Sequence, residues 1–220
     1  VGSRGNSWKS LQIEVDMRLP FVLFISLAVV GCGDSSEKRP EKEAIDASRD
    51  AFMNRKIHSE LTPEILVTIP DDEVEQAIID YIWEEWKKHG WRREDLSQEL
   101  SPGLNAILLT WEVEAEVNNG GFNQYYFNST GPFAEDAVKA FEFFSASQHA
   151  QLMREAIKVR AAEEAEMQKF KDENTLEAFS ESYKATKLGD LDERFYDLKE
   201  NLSELRIAKI RARPDLFMGQ

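Results

Sequence analysis

Glu85 and His89 stand four residues apart in a stretch of helical periodicity, the one carboxylate–imidazole spacing in the chain suited to sharing a metal ion. Two ligands do not hold a metal by themselves, and His58 and His149 lie far off in sequence, so the pair reads as a surface contact. No glycine–serine elbow occurs, and the "NNGG" at 118–121 lacks the lysine and the strand context of a phosphate-cradling loop. The single cysteine, Cys32, excludes an internal disulfide and a cysteine-rich zinc site. These residues give no catalytic group, no metal site and no cofactor, and the expectation is a protein that is not an enzyme. The densest polar chemistry is "EVNNGGFNQYYFNSTG", residues 116 to 131. Asn119, Asn123, Gln124 and Tyr125 are the residues of a small-ligand or hydrolytic site, an alternative that stays open, although no activated base accompanies them. The preferred reading is a structural staple. Gly120 and Gly121 supply a bend, Phe122 and Tyr126 a buried face with Tyr125 beside them, and Asn118, Asn119, Asn123, Gln124 and Asn128 satisfy backbone groups at neighbouring helix ends. Alanine at Asn119 or Gln124 is then expected to cost about 1 to 3 kcal/mol. Asn128 in "NST" matches a glycosylation acceptor by chance.

The elements that would position this stretch are all helical. Pro70, Asp71 and Asp72 precede a stripe of Val74, Ile78, Ile79, Ile82, Trp83 and Trp86 that ends near His89 and Gly90. Ser101 and Pro102 start a second helix whose buried face runs through Leu104, Ile107, Leu108, Trp111, Ala115 and Val117 to Asn118. After "STGP" a helix carries Ala137, Val138, Phe141 and Phe144; further ones carry Met153, Ile157 and Ala161, then Leu176, Phe179 and Tyr183, and a final one spans Leu191 to Leu205. Alternating β-branched runs are missing, which predicts a single all-α domain.

Upstream, Met17 and Arg18 precede an apolar run from Leu19 to Val30, too short for the roughly 20 residues of a spanning helix and suited to a signal-peptide core. "VVGC" at 29–32 resembles the lipobox of bacterial lipoproteins, which makes Cys32 the expected lipidation site. Two acyl chains there would anchor the protein stably in a membrane. Four segments result: an upstream extension at 1–16, a lipoprotein signal peptide at 17–31, a tether at 32–60 with a helical stretch near Ala44 to Ile57, and an acidic helical domain at 61–220. Location is expected at the cell envelope, facing the extracytoplasmic side. Gly33 after the cysteine resembles lipoproteins sent on to the outer membrane.

The formal charge of −14 argues against direct binding to nucleic acid or anionic lipid, because like charges repel. Residues 61 to 136 hold 16 acidic and 4 basic side chains, whereas residues 137 to 220 hold 16 and 14. Asp71, Asp72, Glu73, Glu75, Asp80, Glu84, Glu85, Glu112, Glu114 and Glu116 are expected on outward faces of the first two long helices, an acidic surface for a basic partner.

"WEVEAEVNNGGFNQYYFNSTG" from Trp111 to Gly131, "AEDAVKAFEFFSA" after it, a late "LDERFYDL" and a terminal "RPDLF" resemble the DNA-mimic-protein domain family, over most of residues 71 to 217. The resemblance implies an all-helical domain without enzyme activity or cofactor. For a studied member it implies mimicry of DNA by surface carboxylates that occupy a transcription factor. Two readings of function follow: a lipid-anchored, non-catalytic module binding a basic or polar protein, or a cytoplasmic DNA mimic. Self-association into a homodimer stays open.

Overall fold

The computed structural model describes residues 42–90 and 93–219, and among them every regular element is helical, with no strand. The all-α expectation holds. The readings at residues 1–31 and at Cys32 lie outside the described residues. The chain divides into one unit up to Arg55 and a second from Lys56. The described part of the first is α1 (Lys42–Met53), closed where the Asn54 amide donates to Asp50 O at 2.8 Å.

The second unit begins with a short turn of helix, α2 (Pro63–Leu66), whose cap is Thr62 Oγ1 accepting from the Ile65 N–H. α3 (Asp71–Lys88) opens on three acidic residues and closes on two lysines, the charge order that a helix dipole favours. α4 (Arg93–Glu99) leads into α5 (Pro102–Phe127), which is interrupted at Gly120 and Gly121. Then come α6 (Ala134–Phe143), α7 (Ser147–Ala162), α8 (Glu164–Glu173), α9 (Leu176–Ala185), α10 (Gly189–Tyr196) and α11 (Leu202–Ala212). A 3-10 turn at Pro214–Phe217 ends the described order.

Three elements differ from expectation. α4 lies in a charged segment without an apolar stripe, and α8 buries Met167 as its one fully covered side chain. Neither carries the periodicity that would reveal it. The expected final helix is two, because the chain leaves helix after Asp197 and restarts where the Asn201 side chain accepts from the Glu204 N–H.

α5 is the axis of this unit, packed against α3, α6, α9, α10 and the 3-10 turn. Its first half joins Ile78, Ile82, Leu96, Ile210 and Phe217 in one buried cluster. The second half joins Phe141, Met153, Leu188 and Leu191 in another. A helix packed against so many neighbours buries residues on most of its faces. At its first turn the 3-10 segment comes so close that a Cβ on Gly103 would stand 2.5 Å from Leu216 O, and Phe217 is fully buried there.

Candidate functional site

The interruption in α5 organises the polar residues singled out from the sequence. Gly121 has φ 73° and ψ −179°, a conformation essentially reserved for glycine, and Gly120 beside it has also left helical geometry. Three backbone groups at the break meet side chains from α9 and α10. Asp192 Oδ1 accepts from the Phe122 N–H at 2.7 Å and so caps the resumed helix. The Tyr196 hydroxyl donates to Val117 O and the Tyr183 hydroxyl to Gly120 O, each at 2.7 Å. The break is therefore a socket for two helices that arrive from some 60 to 80 positions later in the chain.

The amides act differently from the staple expected of them. Asn123 is buried and donates to Ser182 Oγ at 2.8 Å, a contact with α9. Gln124 and Asn128 both donate to Glu116 Oε2, at 2.7 and 2.8 Å. They bind side chains rather than the backbone. Asn118 and Asn119 are exposed, because the last turn before the break faces solvent. Asn119→Ala is accordingly expected to cost less than about 0.5 kcal/mol in a urea melt, not the larger loss that a buried amide would give. The stapling falls to Asp192, Tyr183 and Tyr196. Their sequence signal was faint: Asp192 and Tyr196, four apart, share one face of α10.

Phe122 is buried edge-on to Phe195 with centroids 5.9 Å apart, and Tyr125 packs edge-on to Tyr126 at 5.2 Å. Burial pushes both phenols far above their ordinary range, so neither exchanges a proton near neutrality. Asn123 and Gln124 are occupied by Ser182 and Glu116, so these two amides are not free to meet a ligand. Glu85 pairs with Lys88 while His89 Nε2 lies 3.1 Å from Glu99. Among the described residues no group of three or more potential ligands could hold a metal. His149 is buried with Nδ1 2.7 Å from Glu200.

The acidic face expected on the first two long helices is broken up: Asp71, Asp72 and Glu73 are exposed, and Glu75, Glu84, Glu85, Glu114 and Glu116 are half-buried. Asp80 and Glu112 are buried, and Arg93 reaches Glu112 with two hydrogen bonds of 3.2 and 3.3 Å. Glu75 and Glu114 turn towards the buried Arg206, whose Nη1 stands 3.3 and 2.5 Å from them. Glu116 is held by the two amides, and Glu84 pairs with Lys87. Asp71 pairs with Arg211, which leaves Asp72 and Glu73 as exposed carboxylates without an ion pair among the described residues. The physical reason is the central place of α5: three of the ten carboxylates sit on a helix packed against several others, and Arg93 and Arg206 meet two of them there.

Exposed carboxylates gather instead on α8 to α10. Residues 163 to 197 carry 11 acidic and 5 basic side chains, an excess hidden by the basic stretches on either side when the half is averaged. Asp190, Glu193 and Asp197 are all exposed, have no ion pair among the described residues, and at intervals of three and four lie along one face of α10, about 5 to 6 Å apart. The matching family model, described as DMP19-like protein, spans residues 98–213 and so includes α5 to α11 almost entire. The chain belongs to this family of DNA-mimic proteins. Neither a curated protein nor a solved structure matches it. The DMP19-like region thus holds both the break and the carboxylate row, and its family implies a protein partner of the DNA-binding kind.

Two DMP19-region carboxylates at the break have no cationic partner among the described residues. Burial raises the Glu116 carboxyl against the lowering effect of Gln124 and Asn128, and burial likewise raises Asp192 against the Phe122 N–H. A carboxyl whose proton affinity is higher in the folded than in the unfolded state adds stability as the pH falls through that raised value, and loses it as the pH rises. The part of the melting temperature owed to these two carboxyls is therefore expected to rise as the pH falls from neutrality towards the ordinary carboxylate range. Glu116→Gln, with no proton to gain, should flatten that climb in thermal melts across the same interval.

Proposed function

We propose that this protein is a non-catalytic binding module that occupies the DNA-contacting surface of a basic protein partner. The observation that carries the proposal is the row of Asp190, Glu193 and Asp197, uncompensated and exposed, within a chain of the DNA-mimic family. Regularly spaced negative charge is what a phosphate-binding surface is built to meet, and it speeds association through long-range attraction. The row is mounted rigidly, since Asp192 and Tyr196 of the same helix are fixed to the break in α5.

The test is affinity capture on immobilised protein at low salt, followed by elution with duplex DNA. Wild type should retain proteins that DNA releases, and the variant Asp190→Lys/Glu193→Lys/Asp197→Lys should not. Capture of the same proteins by both, or retention that duplex DNA leaves untouched, rejects the proposal.

The basic start, apolar run and lipobox-like "VVGC" at residues 17–32 favour a second reading, in which the same module is lipid-anchored on the extracytoplasmic side and meets a basic protein there. Membrane fractionation of wild type and Cys32→Ala separates the two. Loss of membrane retention in the variant supports the anchor, and a wild type found wholly in the soluble fraction removes it.

A further inference from the structure

We propose that Tyr183 and Tyr196 form a seat for an arginine side chain of the partner, with Asp192 supplying the counter-charge. The inference rests on the basic-partner reading above and adds the specific chemistry that the partner must present. Exposed tyrosines ordinarily turn their hydroxyls to water. Here both hydroxyls are spent on backbone carbonyls of one helix, Gly120 O and Val117 O, three residues and so about one turn apart. The two residues nevertheless remain 39% and 56% exposed. What each tyrosine offers outward is therefore the π surface of its ring, held in one rotamer. Phe179 packs edge-on to Tyr183 and Phe195 edge-on to Tyr196, which fixes the rings further.

Rigid aromatic side chains that lose little freedom on binding are the usual anchors of protein interfaces. The charge around this pair selects the ligand. Asp192 uses Oδ1 on the Phe122 N–H and has no hydrogen bond to Oδ2 among the described residues. Glu116 lies close enough to act electrostatically on Tyr183 and is bound by neutral amides alone. A cation laid on the rings gains from their quadrupoles and from the carboxylates together. Guanidinium fits better than ammonium: it is planar, weakly hydrated, stacks on aromatic faces and can bond a carboxylate while stacked. Surfaces that read DNA are rich in this side chain, so the seat suits the proposed partner.

The experiment uses the full chain with hexa-arginine and hexa-lysine peptides as probes of equal length and charge. Wild type is expected to bind the arginine peptide about five-fold more tightly, the advantage of a stacking, weakly hydrated guanidinium over an ammonium on two aromatic faces. Tyr183→Leu/Tyr196→Leu should reduce that ratio to near one, with arginine-peptide affinity falling more than lysine-peptide affinity. In wild type, the arginine peptide should also shield Tyr183 and Tyr196 from hydroxyl-radical oxidation, read by mass spectrometry, more than the lysine peptide does. This footprint decides the matter even where the double variant fails to fold. Equal binding of the two peptides, a ratio that survives the leucine substitutions, or unshielded tyrosines would overturn the seat while leaving the acidic-surface reading intact. Failure of wild type to bind either peptide would remove both.

Discussion

Arg206→Ala is expected to lower the free energy of unfolding by about 3 to 5 kcal/mol. Arg206 is 4% exposed and holds three helices at once. Its Nη1 stands between Glu114 of α5 and Glu75 of α3, and its Nε donates to Thr110 Oγ1 at 3.1 Å. Without the guanidinium, two carboxylates face each other in a poorly hydrated space. Burial raises the Glu75 carboxyl and the Arg206 guanidinium works against that rise, so the cation is what favours its charged form. The loss comes from the stranded charges rather than from the missing contacts. Arg206→Met combined with Glu75→Gln and Glu114→Gln should therefore recover most of the stability, since apolar and neutral replacements of a buried ionic group are often tolerated. Urea midpoints at unchanged slope measure both variants. A single variant within about 1 kcal/mol of wild type would mean that the carboxylates find water when the arginine leaves.

The second large effect belongs to Gly121. At φ 73° and ψ −179° an L side chain is strained by about 1 to 3 kcal/mol before any contact is considered. A Cβ there would also run into the Asp192 carboxylate and displace the cap on Phe122, worth about 1 kcal/mol more. Gly121→Ala should thus cost about 2 to 4 kcal/mol and loosen α10 from α5. Tryptic cleavage at Arg194, compared between variant and wild type under native conditions, reports that loosening. Unchanged cleavage together with an unchanged melt would show that the break tolerates a side chain.

Much of this architecture is written in local patterns. The stripe from Val74 to Trp86, the Ser101–Pro102 start and the paired glycines each specify their element through neighbours a few positions away, and α3 and both halves of α5 follow. The direction in which the carboxylates point is not a local property. Glu75, Glu112 and Glu114 look like solvated acids when read with their own helices. They turn inward because Arg206, 131 positions from Glu75, and Arg93, 19 positions from Glu112, arrive beside them. The break shows the same division. Its glycines announce a bend, whereas the residues that complete it, Tyr183, Asp192 and Tyr196, sit in another part of the chain and touch it only after folding. Amide-rich composition drew attention to Asn118 and Asn119, yet composition carries no information on which side of a helix end meets solvent.

Phe217, wedged at Gly103, has a consequence for biosynthesis. During translation the opening turn of α5 emerges more than a hundred residues before the ring that covers it, so the apolar flanks of α3 and α5 must wait uncovered while α6 to α11 are made. Such late closure is slow and leaves the nascent chain open to unwanted association. A ribosome stalled short of position 217 would hold out an unfinished interior, attractive to chaperones and proteases alike.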